Sequence, residues 1–229
     1  MPLLDYREGR EEKLRKFAST MKIVIFGASG RTGREVVLQA LAAGHEVTAF
    51  VRNPTKLAIT DDHLTTIQGT VIDAASVRQA VEGHDAVIST LGAVNPMKFD
   101  AAVVEGMTNI VEAMERAQVR RLVYMSAINV AGSRSGAGPV VGFLATRLLK
   151  HETEGHEQRE KIIKESSLDW TLVRCGKLSN GAHKAQYRVG EEIKARGLAA
   201  GISRADAADF LVKQLTDTTY VRKAPRIMY

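Results

Sequence analysis

Short apolar runs alternate along the chain with stretches whose apolar residues recur three and four positions apart, which predicts strands and helices in turn. Lys22-Ile23-Val24-Ile25-Phe26 reads as a buried parallel strand, and Glu46 to Val51 as a second. Thr65 to Gly69, Asp85 to Leu91, Arg121 to Ser126 and Trp170 to Val173 give the third to the sixth. Helical spacing begins at Glu35 after a cluster of glycines, and Gly44 stops it. Asp73 caps a helix through about Glu82, with Gly83 ending it. From Asp100 to Gln118, Val103, Val104, Met107, Ile110, Val111 and Met114 mark a long amphipathic helix. His151 to Glu165 is charged and helical, with Glu157, Glu160 and Lys161 expected on solvated turns, and Ser203 caps a last helix through Leu215. Repeated strand–helix alternation implies right-handed βαβ crossovers, hence an α/β doubly wound parallel sheet with helices on both faces and ligands at the carboxyl ends of its strands.

A chain of 229 residues suits one such domain and is too short for two full-sized ones. We expect residues 1–20 to be an N-terminal extension, because their charges are dense and Met21 directly precedes the first strand; residues 21–229 form the domain. The acidic residues Asp5, Glu8, Glu11 and Glu12 exclude a secretory or transit signal there, while Leu3, Leu4, Leu14 and Phe17 would give a short helix something to bury. Ala131 to Pro139 reads as a loop, and Val140 to Leu149 as a flap or partner contact.

The net charge of +6 is interleaved with acidic residues, so neither a nucleic-acid groove nor a nucleic-acid partner is implied. No apolar run approaches the roughly 20 residues of a membrane span. The lone Cys175 forms no internal disulfide, which suits a reducing, cytosolic compartment. No histidine pair stands at helical metal-ligand spacing, and no metal is expected. The chain reads as a monomer or weak homodimer.

Gly27, Gly30 and Gly33 fall between the first strand and the first helix, a Gly-x-x-Gly-x-x-Gly turn that also carries Ser29, Arg31 and Thr32. In such a turn the first glycine reverses the chain, the second lets backbone N–H groups approach a pyrophosphate, and the third lets helix and strand pack closely. Arg52 and Lys56 follow the second strand where an acidic residue would read the ribose of NAD, so a 2′-phosphate would meet two cations; the alternative is that both are solvated loop residues. Gly92 and Ala93, beyond Leu91, leave room for a ribose or simply turn the chain. Ser126 ends the fifth strand at the rim, where its hydroxyl either donates to a substrate or carboxamide or only caps the strand end. The sixth strand delivers Arg174, Cys175, Gly176, Lys177 and Leu178 to that rim.

With these residues in place the chain resembles the atypical short-chain dehydrogenase/reductases, and within them the flavin reductase (biliverdin-IXβ reductase) branch and the NmrA-like NADH-flavin reductases. The resemblance runs from about Met21 onward and is most specific at Ile23 to Gly33, Val51-Arg52, Asp85 to Gly92, Leu122 to Ala127 and Ser167 to Arg174. It implies a Rossmann-like domain binding NADPH, with the pyrophosphate over Gly27 to Gly33, the 2′-phosphate near Arg52 and Lys56, and the nicotinamide between Leu91-Gly92-Ala93 and Arg174 to Leu178. Thr70, with Val71 beside it, stands where the family reads adenine with an aspartate, and Lys177 where the branch carries a histidine. The Tyr-x-x-x-Lys pair is missing: Ile128 stands four residues after Tyr124, and Glu191 four after Tyr187. The expected activity is hydride transfer to a planar acceptor such as a flavin, a quinone or a linear tetrapyrrole, with Ser126 and Lys177 as candidate catalytic residues. The alternative is a non-catalytic NADP-binding redox sensor that regulates a partner protein.

Overall fold

The computed structural model describes residues 20–93, 95, 98–128, 130, 150–194 and 201–229. The expected tail at residues 1–19, the loop at 131–139 and the apolar stretch at 140–149 lie outside the described residues. The strands are β1 (Lys22–Phe26), β2 (Glu46–Val51), β3 (Leu64–Gln68), β4 (Ala86–Ser89), β5 (Arg121–Ala127), β6 (Asp169–Cys175), β7 (Lys177–Ser179), β8 (Arg188–Gly190), β9 (Gly201–Ser203) and β10 (Arg226–Met228). The helices are α1 (Arg31–Ala42), α2 (Ala74–Val81), α3 (Ala101–Arg116), α4 (Lys150–Glu165) and α5 (Arg204–Lys213).

Eight strands form one sheet in the order β3-β2-β1-β4-β5-β6-β10-β8, parallel except where β10 meets β8. Successive side chains of a strand point to opposite faces, and the core divides accordingly. Ile23 and Ile25 pack with Val36, Val37 and Ala40 of α1 and with Ala207, Ala208 and Leu211 of α5. Val24 and Phe26 pack with Val77 and Ala80 of α2, Met107 and Ile110 of α3 and Ile163 of α4. Each of the valine, leucine, isoleucine, phenylalanine and methionine side chains taken out of water contributes about 1.5–3 kcal/mol, so the two layers clamp the sheet between them. Strand order reverses between β1 and β4, both of which pair with parallel register, and a crevice opens at the carboxyl ends of such strands.

The structure departs from the expected elements in three places. Helix α1 starts at Arg31, not Glu35: Gly30 is the extended N-cap, and Arg34 N donates to Gly30 O at 2.9 Å, so the third glycine lies inside the first turn. The sheet is not purely parallel, because β8 closes one edge in the antiparallel sense. A separate two-stranded sheet joins β7 to β9. Strands β7 to β10 are three residues each, too short for hydrophobic period to reveal.

Candidate functional site

The turn after β1 is tighter than its glycine count alone requires. Gly27 sits at φ +83°, where a side chain is strained, and a Cβ there would stand 2.8 Å from Thr90 Oγ1. A Cβ on Gly33 would stand 2.1 Å from Gly27 O, so only hydrogen fits where α1 crosses the end of β1. Thr90 closes the other side: its N–H donates to Phe26 O at 2.9 Å, and its hydroxyl lies 3.3 Å from both Phe26 O and Gly27 O. The ends of β1 and β4 are thereby fixed around the first turn of α1, whose unpaired N–H groups favour anions.

Beyond β2 the chain makes a single 3₁₀ turn (Pro54–Lys56), with Asn53 Oδ1 accepting from Thr55 N at 3.0 Å. Arg52 and Lys56 are exposed here, and Arg34 of α1 reaches across to donate from Nη2 to Lys56 O. Sequence reasoning passed over Arg34, although its place one residue after Gly33 marks it. Arg31 is exposed at the same rim; its charge and partial burial, burial foremost, hold the Arg204 guanidinium below its ordinary value. Arg31, Arg34, Arg52 and Lys56 make no ion pair among the described residues, and this concentration of unneutralised cations suits phosphate. Thr70 and Val71 follow β3 half-buried; Asn109 Nδ2 donates to Val71 O at 2.9 Å, and Gly106, where a Cβ would stand 2.4 Å from Val71 Cγ2, makes room for that side chain.

At the ends of β5 and β6 the structure corrects the expectation that Glu160 is solvated. Its side chain is 1% exposed, and it accepts from Ser126 Oγ at 2.7 Å, from Arg174 Nε and Nη2 at 3.0 and 2.6 Å, and from Lys164 Nζ at 2.9 Å. Burial pushes its carboxyl up, and the hydrogen bonds of Arg174, Lys164 and Ser126 more than offset that, holding it below the ordinary value. Glu157 and Lys161 are exposed as expected.

One residue earlier, Arg159 is 2% exposed, donates to Gly155 O at 2.8 Å and to Leu91 O at 2.9 Å, and lies over the Tyr124 ring. It thus holds the backbone that leads into Gly92 and Ala93. Tyr124 hydrogen-bonds His156 Nδ1 at 2.8 Å. Burial foremost pushes the His156 ring down to about 3, so it is neutral in the folded protein. Gly155, His156, Arg159, Glu160 and Ile163 are the buried residues of α4, and three of these five positions are polar.

The predicted site residues therefore fall into groups. Gly27, Ser29, Gly30, Arg31, Thr32 and Gly33 surround the turn; Arg52 and Lys56 stand beyond β2; Leu91, Gly92 and Ala93 follow β4. Ser126, expected at the rim either as a donor or as a cap of the strand end, is 3% exposed and its hydroxyl donates to Glu160. Arg174 also turns inward to Glu160. The Cys175 thiol packs in the core against α1 and α5, where burial pushes it up to about 12; only its backbone borders the rim, with Ile128 N donating to Cys175 O. Gly176 N donates to Ile227 O at 3.1 Å, Lys177 is exposed at the start of β7, and Leu178 is half-buried. Among the described residues no cluster of three His, Cys, Asp or Glu can hold a metal, and no helix is long and apolar enough to cross a membrane.

A family model described as NAD(P)H-binding matches residues 27–218. An uncharacterized chloroplastic protein of Arabidopsis thaliana is 31% identical over 172 residues, 70% of this chain and 60% of its own length. The photosystem II assembly factor Ycf39 of Synechocystis is 27% identical over 164 residues, 70% of this chain and 46% of its own. The chain thus spans about half the length of these two relatives. Among solved structures, a short-chain dehydrogenase/reductase of Veillonella parvula in complex with NADP superposes with TM-score 0.73 at 22% identity, covering 91% of this chain and 94% of that one. ChuY, an anaerobillin reductase of Escherichia coli O157:H7, superposes with TM-score 0.72 at 20% identity, covering 90% and 96%.

Proposed function

Because the chain belongs to the NAD(P)H-binding family, we propose that it is an NADPH-dependent reductase passing hydride to a planar conjugated acceptor, a flavin, a quinone or a linear tetrapyrrole. The observation that carries the cofactor choice is the group of cations at the 3₁₀ turn, Arg34 from α1 with Arg52 and Lys56 beyond β2, none of which is ion-paired with a carboxylate among the described residues. The glycine cradle fits a pyrophosphate, since its closest backbone approaches exclude any side chain larger than hydrogen. Gly27 to Gly33 would hold the pyrophosphate, Arg52 and Lys56 the 2′-phosphate, Thr70 and Val71 the adenine side, and Leu91 to Ala93 with Arg174 to Leu178 the nicotinamide end. NADPH, when bound, supplies the hydride.

What the chain supplies is position and exclusion of water. Arg159 fixes the Leu91 carbonyl, and Glu160 fixes Ser126 and Arg174, so the ends of β4, β5 and β6 keep one spacing. The Ser126 proton is engaged and the Tyr124 hydroxyl is buried with burial pushing it further from ionisation. Neither is placed to protonate an unactivated carbonyl. An acceptor that spreads the incoming charge over a conjugated ring and takes its proton from solvent needs no such group. The anaerobillin reductase among the structural neighbours is named for a substrate of that kind. This reading includes a small-molecule partner and no nucleic acid or membrane, a monomer or weak homodimer, and a cytosolic location.

The engaged Ser126 also favours a second reading, a non-catalytic NADP-binding sensor of the NmrA-like type that reports to a partner protein; a relative named as an assembly factor is in keeping with it. NADPH oxidation followed with FMN, a quinone, biliverdin and simple ketones separates the two. The reductase reading expects turnover with planar acceptors and almost none with ketones; tight NADPH binding without turnover on any acceptor gives the sensor.

A further inference from the structure

We propose that Arg34 is a specificity-determining residue, the third cation of the 2′-phosphate cradle, an assignment that rests on the NADP(H) reading above. Arg34 lies in the first turn of α1, on the element that carries the glycine cradle, whereas Arg52 and Lys56 lie beyond β2. Its Nη2 donates to Lys56 O, which brings the guanidinium over the same 3₁₀ turn. Its Nε is shielded from solvent and has no hydrogen-bond partner among the described residues. A buried N–H of this kind costs free energy until an acceptor arrives, and a guanidinium charge without a carboxylate costs more.

The surroundings are arranged so that this acceptor comes from outside the chain. Four carbonyls of the turn already accept a donor: Lys56 O from Arg34, Arg52 O from Gln68 Nε2 at 3.4 Å, Asn53 O from Lys56 N at 3.2 Å and Pro54 O from Leu57 N at 3.0 Å. The neighbouring acceptor Asn53 Oδ1 is taken by Thr55 N and by Thr55 Oγ1 at 2.8 Å. None of the three cations is paired with an acid among the described residues. An oxyanion with several acceptor oxygens satisfies the accessible guanidinium N–H groups of a side chain whose shielded Nε–H finds no acceptor within the described residues. A ribose hydroxyl, a single weak acceptor, does not. Arg34 therefore discriminates between phosphorylated and unphosphorylated ribose. Because it sits on α1, it also ties that discrimination to the helix that positions the pyrophosphate.

The test is calorimetric titration of wild type, Arg34→Ala and Arg34→Lys with three fragments, 2′,5′-ADP, 3′,5′-ADP and 5′-ADP. The second distinguishes a coenzyme A-like 3′-phosphate from the 2′-phosphate. Wild type binds 2′,5′-ADP most tightly. Arg34→Ala weakens that fragment about 10- to 150-fold, one charge-assisted contact, and changes 5′-ADP by less than about 2-fold. Arg34→Lys, which keeps the charge and loses the fork, falls between. Should Arg34→Ala melt below the working temperature, Arg34→Gln takes its place, with an amide donor and no charge. Equal losses for 2′,5′-ADP and 5′-ADP overturn the assignment and leave Arg34 as a brace for the 3₁₀ turn, with the NADP(H) reading intact. Tighter binding of 3′,5′-ADP than of 2′,5′-ADP overturns it as well. Wild type binding none of the three overturns the NADP(H) reading and this assignment with it.

Discussion

Ser126 donates its hydroxyl proton to Glu160 at 2.7 Å, so the carboxylate that anchors Arg174 also decides what Ser126 can do. The hydroxyl sits at the strand end where an acceptor would lie, yet its one proton is spoken for. Ser126→Ala therefore lowers turnover about 10-fold or less, the worth of one orienting hydrogen bond, in steady-state assays with a planar acceptor. A loss of about 10³ would make Ser126 the proton donor and the hydrogen bond to Glu160 incidental.

Glu160 bears on stability through the charge it leaves behind. Glu160→Ala strands the Arg174 guanidinium, whose side chain is 9% exposed, and lowers stability by about 3–5 kcal/mol in urea unfolding. The pH dependence follows from the direction of the shift. The folded carboxyl titrates below its ordinary value of 4.5, so its contribution is complete above that value and is lost as pH falls through the folded pKa. The gap between wild type and Glu160→Gln is accordingly flat from neutral pH down to about 5 and narrows below 4.5. A gap that widens on acidification would contradict the direction argued here.

Arg52→Ala separates the two nicotinamide cofactors. Fluorescence titration gives NADPH binding about 10- to 150-fold weaker, with NADH binding nearly unchanged. Equal losses for both would return Arg52 to the solvated loop.

Gly33 and Gly92 behave oppositely. Gly33→Ala places a Cβ 2.1 Å from Gly27 O, and the backbone must shift, at about 1–3 kcal/mol or more, with NADPH affinity falling alongside. Gly92→Ala meets nothing within 4 Å, so the melting temperature should hold. If melting curves show Gly33→Ala as benign as Gly92→Ala, close packing is not why a glycine stands at position 33.

The order of strands and helices was legible because Ile23 to Phe26, Ala86 to Ser89 and the α3 stripe obey their periods over whole elements. The glycine turn was legible because its chemistry is carried by residues adjacent in sequence. Glu160 was not, because a charged residue on a charged helix looks solvated until its partners are seen, and Ser126 and Arg174 lie 34 and 14 positions away. A signal was nonetheless present: His156, Arg159, Glu160 and Ile163 stand at i, i+3, i+4 and i+7, the spacing of a buried face, with polar residues in three of its slots. Arg34 escaped for a similar reason, since only the fold carries the 3₁₀ turn back to α1.

The place of β10 in the sheet sets the order in which the molecule is completed. Leu172 N and Arg174 N donate to Lys223 O and Pro225 O at 3.0 and 2.8 Å, and β10 pairs in parallel with β6. On the ribosome, β6 is therefore made dozens of residues before the segment that covers its far side. During that interval a valine-, leucine- and tryptophan-bearing strand presents unpaired backbone to whatever meets it, including another nascent copy. Synthesis halted short of residue 223 leaves that edge bare for good.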